Sequence, residues 1–296
     1  MGKLLLSLFV LGACGADPVL ESPDAGGGGS NTPGYQTLVS TGWSLAPSSE
    51  KYECYRVTLT EDIWVKSIKP ISPQGTHHSV LMLATTPSAP DGLTECSSLL
   101  SEPAIYASGV GTTELVFPDG IGLHLLAGQQ LFLNVHLFNS GDATLDGTSG
   151  IEYQSGDSTS IVHEAGSVLI GAANGPTVPV GQNVALSFQC KTPAASVMFA
   201  VAPHMHLNGT HLTASYTPPN GVATTLLDTA YSFDDQKFHL FAPVTSVTGG
   251  KYKVTCTYDN ESGSPIPFGE STTQEMCYAM TYVYPPPTAP TCGTQI

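Results

Sequence analysis

The chain has 296 residues, 41% of them hydrophobic, enough for one large domain or two ordinary ones with real cores. Only 11% are charged, well below the roughly 25% of an average soluble domain, whereas Gly and Pro number 31 and 23. Long surface helices laced with ion pairs are thereby excluded, and disorder is excluded over most of the length. Nine Lys and Arg against 24 Asp and Glu leave a net charge of −15, which removes the basic footprint that nucleic-acid binding requires.

Lys3 precedes the apolar run Leu4–Val10, which is followed by Leu11-Gly12-Ala13-Cys14. The run is far shorter than the ~20 residues that span a bilayer, and its order of charge, apolar run and small residues is that of a signal peptide. Leu11–Cys14 resembles a bacterial lipobox. Residues 1–14 are therefore expected to be a lipoprotein signal, with Cys14 lipidated as the mature N-terminus. The protein is expected to be exported and lipid-anchored, in the outer membrane, periplasm or cell surface of a Gram-negative bacterium, touching membrane only through that anchor. Residues 15–34, with Gly26-Gly27-Gly28-Gly29-Ser30, form a flexible linker. Without Cys14 the seven cysteines leave six, an even number that in an oxidising compartment implies three disulfides. Six cysteines admit 15 pairings, and the arithmetic leaves them open.

From Tyr35 onward, period-2 patterns predict short strands. Leu131–Phe138 alternates an aliphatic face with a face carrying Asn134 and His136; Ser196–Val201 and Tyr252–Tyr258 follow the same rule. Turn signals such as Ser140-Gly141-Asp142 and Pro219-Asn220-Gly221 separate them. The expected fold is all-β: two tandem sandwich domains, residues 35–160 and 161–296.

Nine histidines occur, and five stand out. His77 and His78 open the apolar strand Val80–Leu83. Adjacent strand residues point to opposite faces, so both reach one metal only if the backbone bulges, which Gln74-Gly75 permits. His136 sits mid-strand. His204 and His206, at i and i+2, project from one face as a two-point grip, with the small Ala200 and Ala202 before them. In Glu275-Met276-Cys277-Tyr278-Ala279-Met280, Met276, Tyr278 and Met280 share a face while Cys277 points away. Each feature alone also has an ordinary reading as surface or core residues.

Together, His77-His78, Val135-His136, His204-Met205-His206 and Glu275-Met276-Cys277 in this order strongly resemble the copper type II, ascorbate-dependent monooxygenases, the family of dopamine β-monooxygenase and peptidylglycine α-hydroxylating monooxygenase. Lys51-Tyr52-Glu53-Cys54, Tyr231-Ser232-Phe233-Asp234-Asp235-Gln236 and Cys256-Thr257-Tyr258-Asp259 add to the resemblance, which covers about residues 35–290. It implies that each domain is jelly-roll-like and contributes one copper site: His77, His78 and His136 for the first, His204, His206 and Met276 for the second, O₂-activating and catalytic one. Two coppers per chain, ascorbate or a similar one-electron donor, O₂ and a small-molecule substrate are the implied cofactors and partners. The implied reaction is R–H + O₂ + two electrons + two protons giving R–OH + water. The ligand types agree independently, since a thioether favours Cu(I) and disfavours zinc or iron. A domain split near 160 leaves Cys54 and Cys96 as partners, and the resemblance selects Cys190–Cys292 and Cys256–Cys277 from the other four.

The sequence departs from the peptide-amidating members at the substrate positions. Their Arg two residues before the His pair is Ala202 here, and their Asn and Tyr after the copper Met are Tyr278 and Met280. Without that Arg a substrate carboxylate loses a bidentate partner. A different, more apolar small substrate is expected. The competing readings are a non-catalytic copper-binding lipoprotein and a zinc hydrolase built on the His pair. His124, His163, His211 and His239 match no ligand position.

Overall fold

The computed structural model describes residues 33–94, 96, 102–172, 175, 177–192, 195–289 and 291–296. The signal segment 1–14, Cys14 and nearly all of the linker lie outside the described residues. Among the described residues there is no helix; the chain is all-β, as its alternating patterns require. Lys251–Asn260 illustrates the cause: Tyr252, Val254, Cys256, Tyr258 and Asn260 are buried while the alternate residues are not.

Four sheets account for the named strands. The first runs Gln36–Leu45, Leu145–Ser155, Ile63–Ile71, Gly120–Leu125, Ile161–Glu164, with Leu115–Val116 beside Ile63–Ile71. The second runs Gly92–Thr94, Ser49–Thr58, Gln130–Asn139, Thr76–Ala84, Ala104–Gly109. Strands that follow Glu164 make the other two. The third runs His239–Val247, Ser196–His204, Tyr278–Tyr284, Gly166–Gly171, Thr291–Cys292, and the fourth Thr224–Ala230, Gly209–Thr217, Lys251–Asn260, Gly181–Lys191, Thr294–Gln295.

The third sheet is buried on both faces. Val168, Ile170, Met198, Val201, Cys277, Ala279 and Val283 join a core with residues of the fourth sheet. The opposite face, with Phe199, Ala200, Met280 and Tyr282, belongs instead to the core that contains Leu81, Tyr106, Leu131 and Leu133 of the second sheet. The seam between the chain's two halves is therefore a direct apolar contact. Phe117 meets Phe199 and Tyr282 edge-on at 5.7 and 6.0 Å. Tyr282 donates from its hydroxyl to the Ile105 carbonyl at 3.0 Å, and Ser167 donates to the Ala104 carbonyl. Buried hydroxyls that meet carbonyls across the seam lose little on leaving water, and they fix how the two halves sit.

Cys54 bonds to Cys96, the pair that a split near 160 leaves, and Cys190 to Cys292 and Cys256 to Cys277, the two pairs that the resemblance selects. Cys256–Cys277 ties the centre of the fourth sheet to the segment just before Tyr278–Tyr284, closing a loop with a sequence separation of 21. By loop-closure entropy such a bridge contributes about 3 kcal/mol. The double variant Cys256→Ala/Cys277→Ala is expected to lose about that much stability, read as a lower urea midpoint with an otherwise native spectrum. An unchanged midpoint contradicts the bracing role.

Candidate metal centre

The first histidine set is built by a register defect. Gln130–Asn139 is central in the second sheet, and its odd residues Leu131, Leu133, Val135 and Leu137 fill the core, so Asn134 and His136 take the other face. Against it, Thr76 pairs with Leu137 but His78 pairs with His136. His77 is thus the extra residue of a β-bulge, the irregularity needed to turn two adjacent histidines the same way. Gly75, just before, sits at φ +100°, and a Cβ there would lie 2.9 Å from the Trp43 ring, so no other residue enters this bend without strain.

As a result the three rings converge. His77 Nδ1 lies 3.1 Å from His78 Nδ1, which lies 3.3 Å from His136 Nδ1. One donor nitrogen from each of the three lies within 4.8 Å of the others, a spacing that one ion can bridge. The Glu50 carboxylate accepts from His136 Nε2 at 2.6 Å, which leaves the Nδ1 lone pair free to face the cluster. The Tyr52 ring stacks on His136 at 4.4 Å.

His204 and His206 are positioned differently from the expectation of two residues on one strand face. The strand Ser196–His204 ends at His204, and His206 lies beyond it. The cause is Glu275: its buried carboxylate accepts from the backbone N–H of His206 at 3.0 Å and of Asn208 at 2.7 Å, and from the Asn208 amide at 3.0 Å. Those N–H groups are thereby taken out of the sheet ladder and the chain turns. Burial raises the Glu275 pKa above the usual range, opposed by these hydrogen bonds. The two rings still meet, edge to face at 5.3 Å. His206 Nδ1 faces the Gln274 carbonyl at 3.1 Å; a carbonyl only accepts, so Nδ1 carries the proton and Nε2 is unprotonated. His204 Nδ1 faces Gln236 Oε1 at 2.9 Å.

A cavity of about 80 Å³ adjoins both sets. His78, Val80 and Ala107 of the first half line it opposite Ala202, His204, Phe238, Met276, Tyr278 and Met280 of the second. Met276, Tyr278 and Met280 share this wall while Cys277 is in its disulfide behind, as the alternation predicts. His78 and His204, which both line it, meet edge to face with centroids 6.0 Å apart. Among the described residues no Lys, Arg, Asp or Glu lines the cavity.

Burial dominates the electrostatics. His77, His78, His136 and His206 are buried and His204 is half-buried at the cavity. Desolvation, reinforced by neighbouring imidazoles, lowers the pKa of His77 and of His206 from 6.5 to about 3 and that of His78 well below its ordinary value. His136 and His204 are lowered by burial too, although Glu50 and Gln236 respectively oppose it. All five are neutral bases at pH 7, the form that ligates metal. The other histidines do not join. His124 stacks on Trp64 at 3.6 Å, His163 on Tyr284 at 4.9 Å, and His211 pairs with exposed Asp228. His239 pairs with Val201 in the third sheet.

Glu50, Glu275 and the side-chain role of Gln236 were not legible as site residues. Each stands in or beside a recognised motif, but a lone Glu or Gln has no spacing signature that separates it from surface polarity.

Depressed histidine pKa values make stability pH-dependent with a definite sign. Below pH 6.5 the unfolded chain takes up protons that folded His77 and His206, titrating near 3, do not. Stability is full above pH 6.5 and falls as the pH drops toward 3, by on the order of a few kcal/mol per group. Thermal unfolding of metal-free protein is expected to show Tm falling steeply across this window; a flat profile from pH 7 to 4 contradicts it.

Comparison with known proteins follows the same lines. Residues 163–296 match the family model of the copper type II ascorbate-dependent monooxygenase, C-terminal domain. No curated protein matches the chain at a significant level. Among solved structures, the chain is similar to that of infectious bursal disease virus Gx strain at 9% identity, with TM-score 0.24 over 83% of this chain and 70% of that one. It is similar to the Gt strain structure at 11% identity, with TM-score 0.24 over the same shares. Scores this low carry no argument. The matched segment holds His204, His206, Glu275 and Met276, so residues 163–296 are similar to the C-terminal domain of the copper type II ascorbate-dependent monooxygenases.

Proposed function

We propose that the protein is a copper monooxygenase that hydroxylates a C–H bond of a small, uncharged, apolar substrate, with O₂ as oxidant and ascorbate or a similar one-electron donor as reductant. The observation that carries this reading is a cluster of three imidazoles whose His78 lines the same apolar cavity as His204 and Met276, with His206 edge to face against His204.

The donors fit copper. The Nδ1 atoms of His77, His78 and His136 converge in a buried place, and the Glu50 contact at Nε2 leaves that of His136 unprotonated. His206 has an unprotonated Nε2, and soft Met276 lines the cavity beside His204. In the proposed assignment the first copper is held by His77, His78 and His136 and the second by His204, His206 and Met276, two per chain. When bound, copper supplies one-electron redox chemistry and O₂ activation. The residues supply the rest: Glu50 and Gln274 hold the proton on the outward nitrogens of His136 and His206, and Glu275 shapes the His206 turn. Val80, Ala107, Ala202, Phe238 and Met280 exclude water from the substrate. The stoichiometry is R–H + O₂ + two electrons + two protons giving R–OH + water.

Ala202 and the absence of a cationic lining argue against a glycine-extended peptide, whose carboxylate would be buried without a partner. A zinc hydrolase needs a free carboxylate base near the His pair, and Glu275 has its oxygens engaged by three N–H donors. The chain is further read as two tandem jelly-roll-like sandwiches meeting near residues 161–165, exported behind the 1–14 signal and anchored through Cys14; three disulfides support an oxidising compartment.

Purified protein loaded with copper is expected to bind two ions, and to consume O₂ with ascorbate while converting compact apolar substrates to alcohols detectable by mass spectrometry. A single copper, or stoichiometric zinc after competition, contradicts the assignment. Met276→Leu keeps the volume, costs less than about 1.5 kcal/mol, and removes the sulfur. It is expected to fold, keep the first copper, and lose hydroxylation by at least about 100-fold, the loss of roughly 2.7 kcal/mol of transition-state stabilisation. Full activity in this variant rejects the second site. Efficient α-hydroxylation of a glycine-extended peptide rejects the substrate class.

A further inference from the structure

The segment Tyr231–Phe238 lies between the two histidine sets and touches both. The Tyr231 hydroxyl donates to the Met205 carbonyl, between His204 and His206, and its backbone N–H donates to Thr210 at 2.9 Å. Phe233 lies flat on the His77 ring, centroids 3.9 Å apart and 22° between planes, and 6.4 Å from His206. Gln236, buried, reaches His204. The same residue is gripped by the other half of the chain: its N–H donates to the Val110 carbonyl at 2.9 Å, and its carbonyl accepts from Thr112 Oγ1 at 2.5 Å. Thr112 Oγ1 in turn accepts from the Gly109 N–H at 2.9 Å, which leaves its one proton for Gln236. Gly109 is bare for this contact, since a Cβ there would lie 2.8 Å from the Gln236 carboxamide carbon. Gly109 is also the residue that pairs with His78.

The hydrogen bonds of Gln236 decide a tautomer. Its Nε2 donates to the Phe233 carbonyl at 3.1 Å, which fixes the amide orientation and turns Oε1 toward His204. An amide oxygen only accepts, so His204 Nδ1 carries the proton and Nε2 keeps its lone pair. His206 reaches the same state through the Gln274 carbonyl, within its own half.

We infer that Tyr231–Phe238 is a clasp through which the first half of the chain, at Val110 and Thr112, sets the tautomer and orientation of His204, with Gln236 as the positioning residue. The second histidine pair is thus complete only when the two halves are docked, and Phe233 packs the first set from the same segment. The metal consequence rests on the copper reading above; the tautomer does not.

The test separates the two. Metal-free protein labelled with ¹⁵N-histidine is examined by long-range ¹H–¹⁵N correlation above pH 7, where all five site imidazoles are neutral. The wild type is expected to show His204 and His206 both as Nδ1–H. Gln236→Leu is expected to shift His204 toward Nε2–H and leave His206 unchanged. Thr112→Val, which touches no histidine, is expected to shift His204 in the same direction by a smaller amount. Gln236→Glu, which retains an acceptor, is expected to restore Nδ1–H. If Gln236→Leu does not fold, Thr112→Val and Gln236→Glu carry the same comparison. Wild-type His204 shifts in Gln236→Leu, or in Thr112→Val if that alone folds, overturn the inference, as do equal shifts in His204 and His206. With copper alone added, the electron paramagnetic resonance signal of the second site is expected to change in Gln236→Leu while that of the first persists. If the protein binds no copper but the tautomer result holds, the copper reading fails and the clasp stands.

Discussion

Five imidazoles share the seam between the second and third sheets, and the structure there depends on their being uncharged. Burial penalises the protonated form of each, and every neighbouring ring adds to the penalty. A neutral imidazole has one N–H and one lone pair, so each ring requires a donor–acceptor arrangement decided in advance. Carboxylate, amide and carbonyl oxygens of Glu50, Gln236 and Gln274 accept hydrogen bonds from the N–H groups of His136, His204 and His206. What remains exposed to the interior is a set of lone pairs. Unprotonated imidazole nitrogens are the form that ligates metal.

The seam that holds these rings is apolar and broad. Phe117, Phe199 and Tyr282 pack across it, and the Tyr282 hydroxyl finds a carbonyl on the opposite side. A third sheet buried on both faces cannot shift toward one partner without opening a gap at the other. The cavity is bounded by the same wall, so the residues that would meet a substrate are those that maintain the packing. Cavity shape and packing are therefore linked at Ala202, Met276 and Met280, and a larger residue at Ala202 changes both.

Local irregularities carry the site geometry. A regular ladder through Thr76–Ala84 would turn His77 and His78 to opposite faces; the bulge at His77 brings their Nδ1 atoms to 3.1 Å. A ladder continued beyond His204 would keep Asn208 in the sheet; Glu275 draws the chain into a turn instead. In both places the regular hydrogen-bond pattern is given up where the histidines converge, and compensating partners are at hand: Gly75 for the bend, a buried carboxylate for the freed N–H groups.

Much of this was legible in the amino-acid order. Period-2 alternation determined the all-β class, the inward faces of Gln130–Asn139 and Lys251–Asn260, and the opposition of Met276 and Cys277, because side-chain direction in a strand depends only on parity. Two adjacent histidines after Gln74-Gly75 demanded a bulge for the same reason. The family resemblance supplied the partners of the four later cysteines, which spacing left open. What the sequence did not carry is the meeting of the two sets. His78 and His204 belong to different sheets, and their 6.0 Å separation follows from how two apolar faces and one clasp segment dock. Glu50, Gln236 and Glu275 act through contacts 86, 32 and 69 residues away in the chain. Such contacts leave no periodic trace, since a single hydrogen bond needs only one oxygen at the right point in space, and only the folded seam decides where that point is.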